Sequence, residues 1–168
     1  MASFHSSTEW KCTELVLIRH AESTNNVLYE QIREKFGADV DEATVFSYAV
    51  LILPLSSFSL KILKEENRLR QADSGLSQRG IRQIDCLKNF FNEEIGNGTI
   101  NLNPIDHWSI YSSPMKRCLL TAQQVSVGLN NKIVTVFPFL YESHGCYRYN
   151  EKEEYVAERG YSKADVEV

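Results

Sequence analysis

Residues 15–26 read LVLIRHAESTNN, and this stretch decides the predicted fold. Its run of aliphatic residues is typical of a short parallel strand that is buried on both faces of a sheet, here residues 14–18. Arg19 and His20 follow directly, at the carboxyl end of the predicted strand. Open α/β sheets bind ligands at that end of their strands, so the pair has either a structural role or a chemical one.

Two helices are predicted from apolar residues at helical spacing. The first follows the strand, ends at Gly37 and has the apolar positions Val27, Leu28, Ile32 and Phe36. Ser77 is a favourable N-cap for the second. The predicted apolar face of that helix comprises Ile81, Ile84, Leu87, Phe90 and Phe91, and it ends near the sequence GNG.

Further strands alternate with helices along the rest of the chain. Residues 105–113 predict a second strand and residues 132–140 a third, buried one. Between them, residues 115–129 predict a helix with Leu119, Ala122 and Val125 inward. This alternation predicts an α/β fold, a three-layer sandwich with a mainly parallel sheet.

Composition narrows the class of protein. The chain has 168 residues, 43% of them apolar and 24% charged, which predicts a single globular domain over residues 1–168. A net charge of -4 without a Lys/Arg cluster argues against nucleic acid as a partner. The four cysteines lie far apart, without zinc-binding spacing, and no apolar signal segment opens the chain. We therefore predict reduced thiols and a cytoplasmic location.

The region at about residues 38–72 is predicted to be an insertion in this domain. Within it, residues 45–63 are apolar, but Pro54 and four serines interrupt them. The uninterrupted part is shorter than the roughly 18 residues that a membrane-spanning helix needs. We predict a buried or substrate-covering helical insertion and no membrane partner, with a membrane-associating hairpin as the alternative.

Arg19, His20 and Arg117 suggest phosphate chemistry at one edge of the predicted sheet. The planar guanidinium group suits an anion with several oxygens. A neutral imidazole can attack phosphorus and carry it as phosphohistidine, while the arginines stabilise the developing negative charge. This chemistry needs neither metal nor cofactor, and the sequence has no aspartate cluster and no Gly-rich phosphate loop.

Three segments, in order, resemble the histidine phosphatase superfamily, which is also called phosphoglycerate mutase-like. LIRHAESTNN is similar to the family's RHG-type signature, with Ala21 where glycine is commonest. SGLSQRGIRQI is similar to its Leu-Ser/Thr-x-x-Gly-x-x-Gln segment, and IYSSPMKRCLLTA to its Ser-Ser-Pro-x-x-Arg-x-x-x-Thr-Ala segment. The resemblance implies a phosphoglycerate mutase-like fold.

The resemblance also implies roles for individual residues. His20 would be the phosphate-accepting nucleophile, and Arg19 and Arg117 would hold the phosphate. Ser23 and Asn26 would contact the substrate in its pocket. The partner would be a small phosphorylated substrate, and the sequence carries no signal of an oligomeric state.

Glu142 falls where the family has its proton donor, after the strand that follows the Arg117 helix. The family's second catalytic histidine lies well downstream of that glutamate, but only 26 residues of this sequence follow Glu142. The sequence SHG at 143–145 is an alternative candidate for that histidine, but its position suits the glutamate better. Residues 149–168 are predicted to be an acidic helical segment and contain no apolar run for a final core strand. We therefore expect an N-terminal portion that lacks the second histidine, or a natural short form.

The functional prediction is a hydrolase: a metal-independent phosphatase of small phosphate esters that forms a phosphohistidine intermediate on His20. Two alternatives stay open. One is phosphoryl transfer of the phosphoglycerate mutase type, and the other is a catalytically weak phosphate-binding module.

Overall fold

A computed structural model describes residues 15–36, 57–97, 108–140, 146–150, 152 and 154–158. Helices and strands are mixed along these ranges. In chain order, the elements are α1 (Thr24–Phe36), α2 (Ser57–Leu69), α3 (Gln78–Asn97), β1 (Ile110–Ser112), α4 (Lys116–Gly128), β2 (Val134–Val136), β3 (Tyr147–Tyr149) and β4 (Tyr155–Ala157).

The three predicted helices are confirmed as α1, α3 and α4. Ile32 is the buried residue of α1, and Ser77 is the N-cap of α3, because its Oγ accepts a hydrogen bond from the Gly80 N–H at 2.9 Å. The predicted apolar face of α3 is only partly correct. Ile84 and Phe91 are buried and Leu87 is half-buried, but Ile81 and Phe90 are exposed.

The packing of α3 against α4 explains this narrower buried stripe. Phe91 of α3 forms a core with Val125 and Leu129, around which Leu87, Trp108 and Ile110 pack. The two helices approach closely at Gly128, where a Cβ atom would lie 2.8 Å from the Lys88 carbonyl oxygen. One partner helix covers one stripe of α3, and the flanking apolar residues stay in solvent.

Strands β1 and β2 pair in parallel, with Ile110 opposite Val134 and Ser112 opposite Val136. Helix α4 connects them and packs on both, so the unit is strand, helix, parallel strand. The predicted parallel pairing is therefore confirmed in a small sheet, while the three-layer sandwich stays a prediction. The strand predicted at residues 132–140 forms as β2, but its predicted burial is wrong. Ile133 and Phe139, which flank β2, are more than four-fifths exposed.

The predicted strand at residues 14–18 is also wrong over its described part. Residues 15–22 form no strand, and Leu15 and Leu17 are 73% and 84% exposed. Aliphatic composition gives strand propensity, but a strand exists only where a neighbouring strand supplies backbone hydrogen bonds. Within the described ranges, β1 pairs with β2 alone.

The described part of the tail, up to residue 158, differs from its predicted helical state, because β3 and β4 form an antiparallel hairpin. The Asn150 side chain accepts hydrogen bonds from the backbone N–H groups of Lys152 and Glu154, both at 2.9 Å, and so closes the turn. Tyr147 is buried, with the Arg70 guanidinium 4.0 Å from its ring centroid. The hairpin thus packs against the end of α2.

The predicted insertion is described only from residue 57 onward, where α2 packs against α1. The apolar residues from 45 to 56 lie outside the described ranges. The single-domain prediction stays a prediction. No helix in the described ranges is both long enough and apolar enough to cross a membrane.

Candidate functional site

His20 lies in the loop before α1, and its ring is half-buried. Its Nδ1 atom is 2.8 Å from the Ala21 carbonyl oxygen. A carbonyl only accepts hydrogen bonds, so Nδ1 carries the proton in the neutral ring that makes this contact. The lone pair of the neutral imidazole is therefore on Nε2, the nitrogen that can act as a nucleophile.

Ser23 and Asn26 form a reciprocal cap at the start of α1. The Asn26 Oδ1 atom accepts hydrogen bonds from the Ser23 N–H at 2.9 Å and from the Ser23 hydroxyl at 2.8 Å. The Asn26 N–H in turn lies 3.3 Å from Ser23 Oγ. This is the geometry of a capping box, with asparagine in the place of glutamate or glutamine. Both residues thus fix the direction in which the chain leaves the His20 loop.

Glu22 anchors this loop to the start of α3. Its N–H donates to Gln83 Oε1 at 2.8 Å, and its carbonyl oxygen accepts from the Ser77 N–H at 2.9 Å. The Ser77 hydroxyl also donates to the Glu22 carboxylate at 2.5 Å. Gly80 allows this approach, since a Cβ there would overlap the Glu22 carbonyl oxygen. The segment SGLSQRGIRQI therefore holds the loop that carries His20.

Arg117 is in the first turn of α4, and its side chain is 8% exposed. One turn later, the buried Thr121 hydroxyl donates to the Arg117 carbonyl oxygen at 2.8 Å and accepts from the Ala21 N–H at 3.1 Å. The backbone directly after His20 is therefore bonded to the turn of α4 that contains Arg117. The structure brings the predicted nucleophile loop and one predicted phosphate ligand to the same place.

Asp73 is a further buried charge at this place. Its side chain is 10% exposed, and its Oδ1 atom lies 4.0 Å from Arg117 Nη1. The segment around Asp73 also touches the His20 loop, because Ser23 and Leu76 form a backbone bridge. A buried carboxylate beside a buried guanidinium compensates its charge and limits where the guanidinium can lie.

The structure does not test the predicted roles of the remaining site residues. Arg19 has an exposed side chain, and its role as a phosphate ligand stays a prediction. Glu142 and the alternative histidine, His144, lie outside the described residues. Substrate contacts of Ser23 and Asn26 also stay predictions, since the contacts in the structure are those of the helix cap.

Sequence reasoning missed the contacts of Glu22, Asp73 and Thr121. Thr121 is part of the third motif segment, and Asp73 directly precedes the second. Both residues therefore lie in or next to segments that the family resemblance identifies. No local pattern predicts that their partners are 43 or 100 residues away. Contacts at that separation depend on how the elements pack.

The arrangement combines an imidazole whose Nδ1 faces a carbonyl oxygen with a buried guanidinium on a helix that is bonded to the same loop. A nucleophilic nitrogen and a fixed positive charge suit attack on an anionic centre, since the cation stabilises charge that develops in the transition state.

Comparison with protein families finds one match. The family described as histidine phosphatase superfamily (branch 1) matches residues 63–164, well over half of the chain. The matched range contains the second and third motif segments and Arg117, and it begins after His20. Comparisons with curated proteins and with solved structures find no match.

Proposed function

Because this chain belongs to the histidine phosphatase superfamily, we propose that it is a metal-independent phosphatase of small phosphate esters that forms a phosphohistidine on His20. The observation that carries this proposal is the hydrogen bond from the Ala21 N–H to Thr121 Oγ1 at 3.1 Å. It joins the loop of the nucleophile to the helix turn of Arg117.

In the first proposed step, the His20 Nε2 lone pair attacks the phosphorus atom of the bound ester. The bond from phosphorus to the alcohol oxygen breaks, and that oxygen takes a proton from the Glu142 carboxyl group. Arg117 and Arg19 stabilise the negative charge on the oxygens of the transferring phosphoryl group. The first product is the free alcohol.

In the second step, a water molecule attacks phosphorus in phosphohistidine. The Glu142 carboxylate takes the proton of the water, the N–P bond breaks, and inorganic phosphate leaves. Both His20 and Glu142 return to their starting protonation states, so the cycle consumes one ester and one water.

The direct test is hydrolysis of a chromogenic phosphomonoester in the presence of a metal chelator. We expect turnover by the unaltered protein, background rates for His20→Ala and unchanged turnover for His107→Ala, a histidine that belongs to no motif segment. Equal turnover by the unaltered protein and His20→Ala would contradict the proposal. Phosphate binding without a phosphoenzyme would favour the binding module instead.

The donor assignment has its own test. Glu142→Gln is expected to form phosphoenzyme normally from an aryl ester, whose leaving group needs no proton, and slowly from an alkyl ester. Single-turnover measurements on both substrates separate these steps. An equal loss on both esters would show that Glu142 does not protonate the leaving group.

A further inference from the structure

The start of α4 has no side-chain cap from its own segment. The N-cap position is Met115, whose side chain makes no capping hydrogen bond. Asp73, which precedes Lys116 by 43 residues, supplies the missing acceptor: its Oδ1 atom accepts a hydrogen bond from the Lys116 N–H at 2.9 Å. A carboxylate is favourable here because the first turn of a helix exposes N–H groups and carries partial positive charge.

The same Asp73 oxygen lies 4.0 Å from Arg117 Nη1, and both side chains are at least nine-tenths buried. Water cannot reorient freely around a pair buried to this extent, so the carboxylate restricts the guanidinium more than a surface partner would. Because Asp73 is fixed to the helix start by the Lys116 N–H, it provides a rigid reference for the position of the Arg117 side chain.

The segment that carries Asp73 also holds the His20 loop. The Gly75 carbonyl oxygen accepts from the Thr24 N–H at 3.0 Å, and the Ser77 N–H donates to the Glu22 carbonyl oxygen at 2.9 Å. One short stretch of chain therefore contacts both the loop of the nucleophile and the helix of its cation.

We propose that Asp73 is a positioning residue, which orients Arg117 toward the phosphate that His20 attacks. This inference rests on the proposed function, because it takes Arg117 to be a phosphate ligand. Asp73 itself touches Lys116 and Arg117 and acts on phosphate only through the guanidinium. At 4.0 Å the contact is an ion pair, so the carboxylate acts by electrostatic attraction, which holds the guanidinium on the side of the site that faces Asp73.

Asp73→Asn tests the proposal because orientation and simple charge predict opposite results. Asparagine keeps an Oδ1 acceptor for the Lys116 N–H but removes a negative charge near the anion. Charge alone would therefore strengthen binding of inorganic phosphate. Loss of orientation weakens it instead, and we expect roughly tenfold, the lower end of what outer-shell partners of metal ligands contribute.

The measurement is the Kd of inorganic phosphate for the unaltered protein, Asp73→Asn, Arg117→Ala and the double variant. The matched control is Asp85→Asn, which removes an exposed carboxylate that pairs with Lys88, and its phosphate Kd is expected to be unchanged. Because the orienting effect of Asp73 acts through Arg117, Asp73→Asn should cause no further weakening of phosphate binding in the Arg117→Ala background. Tighter or unchanged binding in Asp73→Asn, or a full effect in that background, would overturn the proposal.

Asp73→Glu and Arg117→Ala separate a failure of this inference from a failure of folding or of the proposed function. If Asp73→Asn is unfolded at the assay temperature, Asp73→Glu retains the charge and displaces it by one methylene, and it should weaken phosphate binding in a folded protein. Binding equal to that of the unaltered protein would again overturn the proposal. Equal phosphate binding by the unaltered protein and Arg117→Ala would instead contradict the proposed function on which the inference rests.

Discussion

Ser77 illustrates how much of the role of a single residue can be predicted from sequence. Ser77 is predicted as a helix cap from its type and position, and the structure confirms the cap. Its second role, the hydrogen bonds to Glu22, depends on a loop more than 50 residues away. Local preference therefore predicts the cap, while the contact that positions His20 becomes visible only when the elements are packed.

Gly80→Ala should destabilise the protein even though alanine is the better helix former. A Cβ at this position would overlap the Glu22 carbonyl oxygen, so the His20 loop must move or α3 must shift. We expect a loss of about 1–3 kcal/mol in the free energy of unfolding, which is the usual cost of overpacking. Urea denaturation measures it.

Gly75→Ala is the matched control for this change. Its nearest neighbour would be Lys116 Cε at 3.5 Å, an ordinary van der Waals distance to a flexible side chain. We expect an effect within about 0.5 kcal/mol, as for most substitutions that disturb no packing. If both glycines tolerate alanine equally, close contact at Gly80 does not hold the loop.

At the scale of elements, the helices are predicted better than the strands. A period of 3.6 residues is a property of one segment, so α1, α3 and α4 can be recognised from their own sequences. Strand burial depends on what covers the sheet. Residues 15–18 and β2 have the composition of buried strands, yet the side chains of residues 15–18 are exposed, and so are Ile133 and Phe139 on either side of β2.

Phe90 and Phe91 give a direct test of which face of α3 is buried. They are adjacent and chemically identical, but Phe91 is 5% exposed and Phe90 43%. Phe91→Ala removes a ring from the core with Val125 and Leu129, and we expect a loss of about 3–5 kcal/mol. Phe90→Ala should cost much less. Equal losses in thermal unfolding would contradict the observed packing of α3 on α4.

Glu65 links α2 to α1 and gives the fold a pH dependence. Its carboxylate accepts hydrogen bonds from Arg68 Nε and Lys35 Nζ, both at 3.1 Å. These bonds, that of Arg68 first and that of Lys35 second, lower the pKa of Glu65 below its ordinary value. Because the pKa is lower in the folded state, the contribution is present above the ordinary glutamate pKa and is lost as the pH falls through the lowered one.

We therefore expect Arg68→Gln to raise the pKa of Glu65 toward its ordinary value in an NMR titration of the side-chain carboxyl carbon. Lys35→Gln should act in the same direction and less strongly. The stability difference between the unaltered protein and Glu65→Gln should shrink on acidification, and solvent screening keeps it small. A Glu65 pKa that both variants leave unchanged would contradict the link between α1 and α2.

For the whole molecule, alternation of strand and helix is sufficient to predict the α/β class and the parallel pairing of β1 with β2. The hairpin of β3 and β4 is not predicted, since the acidic composition of the tail favours a helix. Tyr147, Tyr149 and Tyr155 have strand propensity, and the pairing of β3 with β4, in which Tyr149 lies opposite Tyr155, decides the outcome. Composition is a weaker guide here than the alternation of aromatic residues.

The central claim is that His20 accepts the phosphoryl group on Nε2, because Nδ1 lies 2.8 Å from the Ala21 carbonyl oxygen, a contact that a neutral imidazole makes with its N–H on Nδ1. The most direct measurement is rapid quenching of the protein with a phosphomonoester, without metal, followed by peptide mapping and ³¹P NMR. We predict an acid-labile phosphate on Nε2 of residue 20, absent in His20→Ala. Phosphate on Nδ1, phosphate on another residue, or turnover without any phosphohistidine would contradict the claim.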